Sequence, residues 1–329
     1  MTDVICLGIM VADVMVRPVD RWPETGSLQF VESLEVHSGG CAVNTGIGLH
    51  RLGLDVSVVG QVGQDAFGDF LIGVLHSHRM PTHGVRRVEG GTSGSIAMVS
   101  SSGERTFLHH IGANRTEPED VGSWRIESQA RHLHVGGAFL LPGLDGQPMA
   151  NLLAAARAQG MTTSVDTAFD FSGRWMDLIR PVLPHTDYFL PSYVEAKALS
   201  GREDPSEQAE YLLQQGVGTV AIKLGDQGAL VAREKTQLRV EPLSVTALDA
   251  TGAGDAWVAG FLDGVLAGWP LSAAALWGNA QGAASVSAAG ATTGVRDRDG
   301  LERLLRDQGR WPEFLDSLGQ GAEGGFHHG

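Results

Sequence analysis

The stretch Leu248–Gly264, LDATGAGDAWVAGFLDG, constrains this chain more than any other part of it. It sets Asp249, a turn of small residues and then Asp255 at the mouth of an apolar run with helical spacing. Such a junction is a helix N-terminus whose first amides have no intrahelical partner. Gly252, Ala253 and Gly254 carry almost no side chain, so an anion can approach those amides closely, and the helix dipole favours negative charge there. A carboxylate beside an anion nest repels a phosphate unless it has work to do. Asp255 therefore reads as a base that takes a proton from a hydroxyl about to attack a phosphoryl group. The competing reading is an N-cap Asp, a frequent use of Asp before an apolar helical run. A cap, however, requires neither three small residues nor a second Asp six positions earlier.

The rest of the chain supplies a sheet for that helix to pack on. Val4–Ile9 is nearly continuous apolar sequence, as in a central parallel strand, and it leads to Asp13. From Val14 to Val36, Pro18, Pro23 and Gly26 interrupt short alternating stretches, which predicts an exposed, partly edge-like antiparallel segment. Helices are predicted from about His37 to Leu52 and over Ala66–His78. Ser93–Val99 and Thr106–Ile111 read as a hairpin. Strands at His132–Val135, Thr162–Asp166, Tyr188–Leu190, Val217–Leu224 and Gly228–Val231 alternate with helices, including Gln147–Gln159 and one begun by Asp204, Pro205 and Glu207. Helices dominate from Gly254 to about Arg310. Ala256, Gly260 and Gly264 recur every four residues there, giving a face that a neighbour can approach closely. The alternation predicts an α/β fold around a mostly parallel sheet.

A chain of 329 residues is within reach of one large α/β unit. Its formal charge of −14 argues against nucleic acid or an anionic membrane as the main partner. Phosphate is not excluded, since backbone amides and one or two cations suffice to bind it. Two cysteines imply no disulfide framework and a reducing compartment. The first residues lack the basic start of a signal peptide, and no apolar run approaches the ~18 residues of a spanning helix. The expected location is the cytoplasm.

Three further motifs carry candidate chemistry. Gly39-Gly40-Cys41-Ala42-Val43-Asn44 is a tight turn into a helix, and Asn44 and Asp13 are candidate acceptors for substrate hydroxyls. Lys223-Leu224-Gly225-Asp226-Gln227-Gly228 reads equally as a hairpin turn or as a nucleotide-phosphate loop with Lys223 supplying charge. Ser192 and Glu195 form a capping box, and Glu195 is also placed to hold a magnesium-bound water near phosphate. His109, His110, His132 and His134 have no metal-ligand spacing. Gly60-Gln61-Val62-Gly63 opens no helix after the first strand and so is not a dinucleotide fingerprint.

Together these motifs resemble the ribokinase-like (PfkB) family of carbohydrate kinases, over about residues 3 to 312. The most specific pieces are GGCAVNTGIGLHRLGLDVSVVGQVGQDAFG (Gly39–Gly68) and DATGAGDAWVAGF (Asp249–Phe261). The resemblance implies a three-layer α/β/α domain over residues 1–314, with a small β lid from segments 14–37 and 92–112 and a flexible tail over 315–329. It implies ATP as phosphate donor with Mg2+, a sugar as acceptor, and a homodimer formed through the lid. Asp255 is then the base, and Gly252, Ala253 and Gly254 the anion hole. Ser192, Glu195, Lys223, Gly225, Gly228 and Asn279 fall to the nucleotide, and Asp13, Gly39, Gly40 and Asn44 to the substrate. Asp249 and Thr251, with Ser285, Ala288 and Gly290, match a site for a monovalent cation such as K+. The chain departs from the family pattern at Val11, Cys41, Ser192 and Gly294, and D-ribose is a poor match. Phe169–Trp175 is similar to a segment of ketodeoxygluconate kinases and some fructokinases, where Arg174 with Arg105 would meet a substrate carboxylate. A surface Arg over Trp175 is the simpler alternative for Arg174. Rival functions are a nucleoside kinase of the same fold, a sugar-binding regulator without catalysis and, on fold class alone, a nicotinamide dehydrogenase.

Overall fold

In the computed structural model, which describes residues 2–115 and 130–323, the run VICLG forms β1 (Val4–Gly8), with every residue buried. Alternation along the strand sends Val4 and Cys6 to one hydrophobic cluster and Ile5 and Leu7 to another. That split creates three layers. β1 lies parallel to β4 (Val56–Gly63) on one side and to β8 (His132–Ala138) on the other. The sheet continues through β5 (Val85–Val88), β9 (Thr162–Thr167), β10 (Tyr188–Phe189), β11 (Thr219–Lys223), β12 (Ala229–Arg233) and β13 (Thr236–Val240). Its nine strands run in the order β13-β12-β11-β10-β9-β8-β1-β4-β5. Only β11-β12 and β12-β13 pair antiparallel.

One face is covered by α1 (Cys41–Arg51), α2 (Ala66–Ser77), α7 (Ala253–Leu266), α8 (Leu271–Val286), α9 (Arg298–Asp307) and α10 (Trp311–Glu323). The other carries α3 (Gln147–Ala158), α4 (Trp175–Ile179), α5 (Tyr193–Ser200) and α6 (Pro205–Leu213). The small-residue face of α7 meets α8 as the spacing predicts. A Cβ on Gly260 would sit 2.9 Å from the Trp277 carbonyl oxygen, and one on Gly264 would sit 2.8 Å from Ala274 Cα. The edge strands β5 and β13 are absent from the sequence reading because VRRV and TQLRV are largely solvent-facing and carry charge.

A second, separate sheet, in the order β3-β2-β6-β7, contains the segments expected to make the lid. It consists of β2 (Val11–Arg17), β3 (Ser33–Gly39), β6 (Gly94–Val99) and β7 (Arg105–His110). The register aligns His37, Asp13, Ser95 and His109 in one row, and Ser33, Arg17, Val99 and Arg105 in another on the same face. The opposite face presents Val36, Val14, Ile96 and Leu108 as an apolar row, with Val36, Ile96 and Leu108 exposed.

The C-terminus differs from expectation. Residues assigned to a tail from 315 onward continue α10 to Glu323. Phe314 is buried and stacks on Trp277 and Trp311, each 5.2 Å away, and Leu318 packs on the same core. Apolar residues at 311, 314, 315 and 318 have helical spacing, which the Gly-rich composition beyond 319 masks. No helix among the described residues is long and apolar enough to cross a membrane.

Candidate active site

Parallel strands deliver their carboxyl ends to one edge of the sheet, where ligands of open α/β sheets bind. β9 brings Asp166 there, β11 brings Lys223, and the N-terminus of α7 faces both. Lys223 Nζ lies 2.5 Å from Asp166 Oδ1, and the two side chains are 12% and 3% exposed. Burial works against the Lys223 ammonium, but Asp166, Glu195 and Asp255 outweigh it and raise its pKa. A Cβ on Gly254 would lie 3.4 Å from Lys223 Nζ, so the ammonium runs along the first turn of α7.

Asp255 is buried at that turn and accepts a 2.8 Å hydrogen bond from Asn44 Nδ2. Burial pushes its carboxyl up, against the pull of Asn44, Lys223 and Cys41, leaving a carboxylate more basic than usual. Cys41, Asp166 and Asp255 converge, with one ligand atom from each within 4.8 Å of the others. Burial and the two carboxylates push the Cys41 thiol up, so it stays protonated and donates to Asp255. Gly252 precedes the helix at φ 72°, and a Cβ there would come within 2.7 Å of the Ala291 carbonyl oxygen. The turn therefore admits only glycine.

On the lid side, Asp13 lies against Gly39 so closely that a Cβ on Gly39 would be 1.9 Å from Asp13 Oδ2. Burial pushes the Asp13 carboxyl up to about 6, against a hydrogen bond from Ser95 and the nearby His37. Gly40 turns the chain into α1 at φ 92°, which places Asn44 one turn in. Asn44 is buried, and its Oδ1 has no protein partner among the described residues. A buried acceptor of this kind awaits a donor such as a hydroxyl. Asp13, Gly39, Gly40 and Asn44 thus surround the approach to Asp255.

Four of the nucleotide candidates, Lys223, Gly225, Gly228 and Asn279, line an adjoining cavity of about 600 Å³ together with Gly254 and Trp257, whereas Ser192 and Glu195 are not in its lining. The 223–228 loop is the β11–β12 hairpin turn and also forms part of the wall of this cavity. Asn279 is largely engaged by the protein. Its Oδ1 accepts from Trp257 Nε1 at 2.7 Å, and its Nδ2 donates to the carbonyls of Val240 and Glu241 at 3.1 and 2.9 Å. It therefore builds the cavity wall. Ser192 and Glu195 make the capping box, with Glu195 Oε2 accepting from the Ser192 amide and the Thr167 hydroxyl, both at 2.8 Å. Glu195 Oε1 has no protein partner among the described residues.

Arg105 is engaged on a buried acid in this structure. Its guanidinium donates to Asp249 Oδ1 at 2.5 Å and to the Thr251 hydroxyl. Arg174 is exposed, and no contact joins it to Arg105 among the described residues. The carboxylate clamp is therefore not assembled. The loop expected to hold a cation turns about Asp249, which also accepts from the amides of Thr251 at 2.7 Å and Gly290 at 2.9 Å. Ser285 and Ala288 adjoin it, the Ser285 hydroxyl donating to Ala291 O at 3.5 Å and the Ala288 amide to Ser285 O at 3.4 Å. Burial raises the Asp249 carboxyl, but these amides, the Thr251 hydroxyl and Arg105 together bring it down to about 2. With a guanidinium on Asp249 and Thr251, the loop does not fit a K+ ion as well, because two unit charges about 4 Å apart repel by about 4 kcal/mol near a protein surface.

Sequence reasoning passed over Asp166 and Cys41 as site residues. Asp166 is the penultimate residue of the buried strand TTSVDT and gains its meaning from Lys223, distant in sequence. Cys41 registered only as a departure from a pattern.

Comparison with known proteins identifies the family. The profile of the pfkB family carbohydrate kinases matches residues 1–298. A sugar kinase of uncharacterised specificity from Archaeoglobus fulgidus is 30% identical over 251 residues, 76% of this chain and 98% of that protein. The 2-dehydro-3-deoxygluconokinase of Bacillus subtilis is 29% identical over 301 residues, 87% of this chain and 91% of the relative. Among solved structures, Arabidopsis thaliana ribokinase complexed with ribose and ATP superposes with a TM-score of 0.79 at 21% identity, covering 93% of this chain and 99% of that one. The chain belongs to the pfkB family of carbohydrate kinases, phosphotransferases with an alcohol group as acceptor, and has the ribokinase-like fold.

Proposed function

We propose that this sugar kinase transfers the γ-phosphate of ATP to a hydroxymethyl group of a hexose, ketose or keto-deoxy sugar acid, with Asp255 as general base. The observation that carries the reading is the junction of Asp255, Asn44 and the Asp166–Lys223 pair at the N-terminus of α7. Asp13 and Asn44 Oδ1 hold the sugar hydroxyls, and Asp255 accepts the proton of the attacking one. The amides of Gly252, Ala253 and Gly254 and the Lys223 ammonium receive the phosphoryl oxygens, so most of the rate comes from positioning and charge stabilisation. Asp166 and Glu195 give the nucleotide end an excess of carboxylate, which fits a Mg2+ carried by ATP. That ion supplies charge neutralisation at the phosphates when bound.

The cleft face of the lid bears His37, Asp13, Ser95 and His109, a polar row suited to hydroxyls. That favours sugars over the alternative of a nucleoside, whose base calls for an apolar aromatic surface. The apolar row Val36, Val14, Ile96 and Leu108 on the outer face is the surface for a second copy of the chain. The test is Asp255→Asn, assayed by ADP release against hexoses, pentoses, keto-deoxy acids and nucleosides. Turnover with the preferred acceptor should fall roughly 10²–10⁴-fold with little change in sugar binding by calorimetry. Retention of most turnover at saturating sugar would remove Asp255 as the base, and a nucleoside as best acceptor would replace the sugar reading.

A further inference from the structure

We infer that Arg105 is the resident cation of the Asp249 loop, so that this kinase organises its anion hole with a guanidinium from its own lid and needs no alkali-metal ion. Arg105 lies in the lid row farthest from Val11, the first residue of β2, and on the same face as Asp13, so the register itself aims it at the core of the domain. Its two terminal nitrogens engage different groups, one the Asp249 carboxylate and the other the Thr251 hydroxyl. The pair is largely withdrawn from solvent, at 22% exposed for Arg105 and 5% for Asp249. Among the described residues, the other contacts of Asp249 are neutral donors, namely the Thr251 and Gly290 amides and the Thr251 hydroxyl. The guanidinium is therefore the charge that balances this buried carboxylate.

Thr251 directly precedes Gly252, whose left-handed turn sets the direction of the Ala253 and Gly254 amides. A cation fastened to Asp249 and Thr251 holds that turn from behind. Arg105 touches neither acceptor nor phosphate and is a positioning residue. A second lid contact supports the same loop, since a Cβ on Gly290 would lie 3.1 Å from His37 Nδ1.

The test uses the full chain and Arg105→Ser, titrated with KCl against choline chloride at constant ionic strength. Two readouts are taken, the thermal midpoint without acceptor and ATP consumption with the best acceptor. The turnover arm rests on the kinase reading, whereas the midpoint arm does not, so failure of one is distinguishable from failure of the other. The native chain should be flat in K+ by both. Arg105→Ser without K+ should lose turnover roughly 10- to 100-fold, the worth of a charge-assisted hydrogen bond set. Saturable K+ should restore most of that loss and raise the midpoint of the variant. Tens of millimolar guanidinium should rescue likewise. Saturable K+ activation of the native chain overturns the inference. So does a folded variant that answers no cation, whether it is active or dead, because Arg105 would then act elsewhere or not at all. If Arg105→Ser does not fold, Arg105→Lys is measured in its place and should be flat in K+ like the native chain; K+ activation of it would count against the inference.

Discussion

Asn44→Ala separates two jobs that one side chain performs. Asn44 Nδ2 donates at 2.8 Å to the carboxylate of Asp255, while its buried Oδ1 is left for the acceptor. A hydrogen bond to a charged group contributes about 1.5–3 kcal/mol and one to a neutral hydroxyl about 0.5–1.5 kcal/mol. Loss of both amounts to about 2–4.5 kcal/mol, or roughly 30- to 2000-fold in kcat/KM. The first loss also has a pH signature. The Asn44 bond lowers the Asp255 pKa against the burial that raises it, so its removal lets the pKa climb. Asp255 then takes up its proton at a higher pH, and the acid limb of the kcat profile moves toward neutrality. The second loss appears in the sugar KM. Stability should fall as well, by about 1–3 kcal/mol, since the variant takes a donor from the buried Asp255 carboxylate. The assay is a set of initial rates from pH 5 to 9 with sugar varied at saturating ATP. A folded variant whose acid limb stays in place and whose sugar KM is native would refute the arrangement.

Two further outcomes follow from named groups. The folded chain holds the Asp13 proton to about 6, above the unfolded carboxylate value of about 3.9. This group's stabilisation is therefore fully present below the unfolded value and lost as pH rises through about 6. Sugar affinity should run the other way, weakening as pH falls below about 6 because a protonated Asp13 loses acceptor capacity, and Asp13→Asn should abolish both trends, read by calorimetry and thermal melts. Phe314→Ala should destabilise the chain by about 3–5 kcal/mol in urea unfolding, because it empties the aromatic stack on Trp277; a change under about 1 kcal/mol would return α10 to the status of a loose tail.

What could be read from the chain beforehand divides along physical lines. The run VICLG and the DATGAGDAW string announce themselves because burial on both sides of a strand and a bare helix N-terminus each leave a local imprint. Asp255, Asn44, Lys223 and the lid strands were accessible in that way. Asp166 and Cys41 were not, since their roles depend on side chains that the fold brings from other strands. Asn279 lines the cavity beside Lys223, but its amide ties Trp257 to β13, an edge strand whose polar sequence left it unread. Arg105 and the Asp249 loop were both identified and then assigned to different ligands. Only the pairing of β6 with β7 shows that the one reaches the other.

The seam between α7 and α8 bears on which substitutions this enzyme can tolerate. Gly264 lies nine residues beyond Asp255, about 14 Å along the helix axis, yet the backbone of α8 sits where its Cβ would be. A single added methyl at Gly260 or Gly264 must push α7 outward, and the carboxylate at its start travels with it. Displacements near 1 Å cost about 100-fold when reacting atoms need exact alignment. The chain's 45 glycines are thus not a measure of looseness. Along this seam they set a tolerance on where the base stands, and exchanges that look silent, far from any ligand, would be felt as lost turnover.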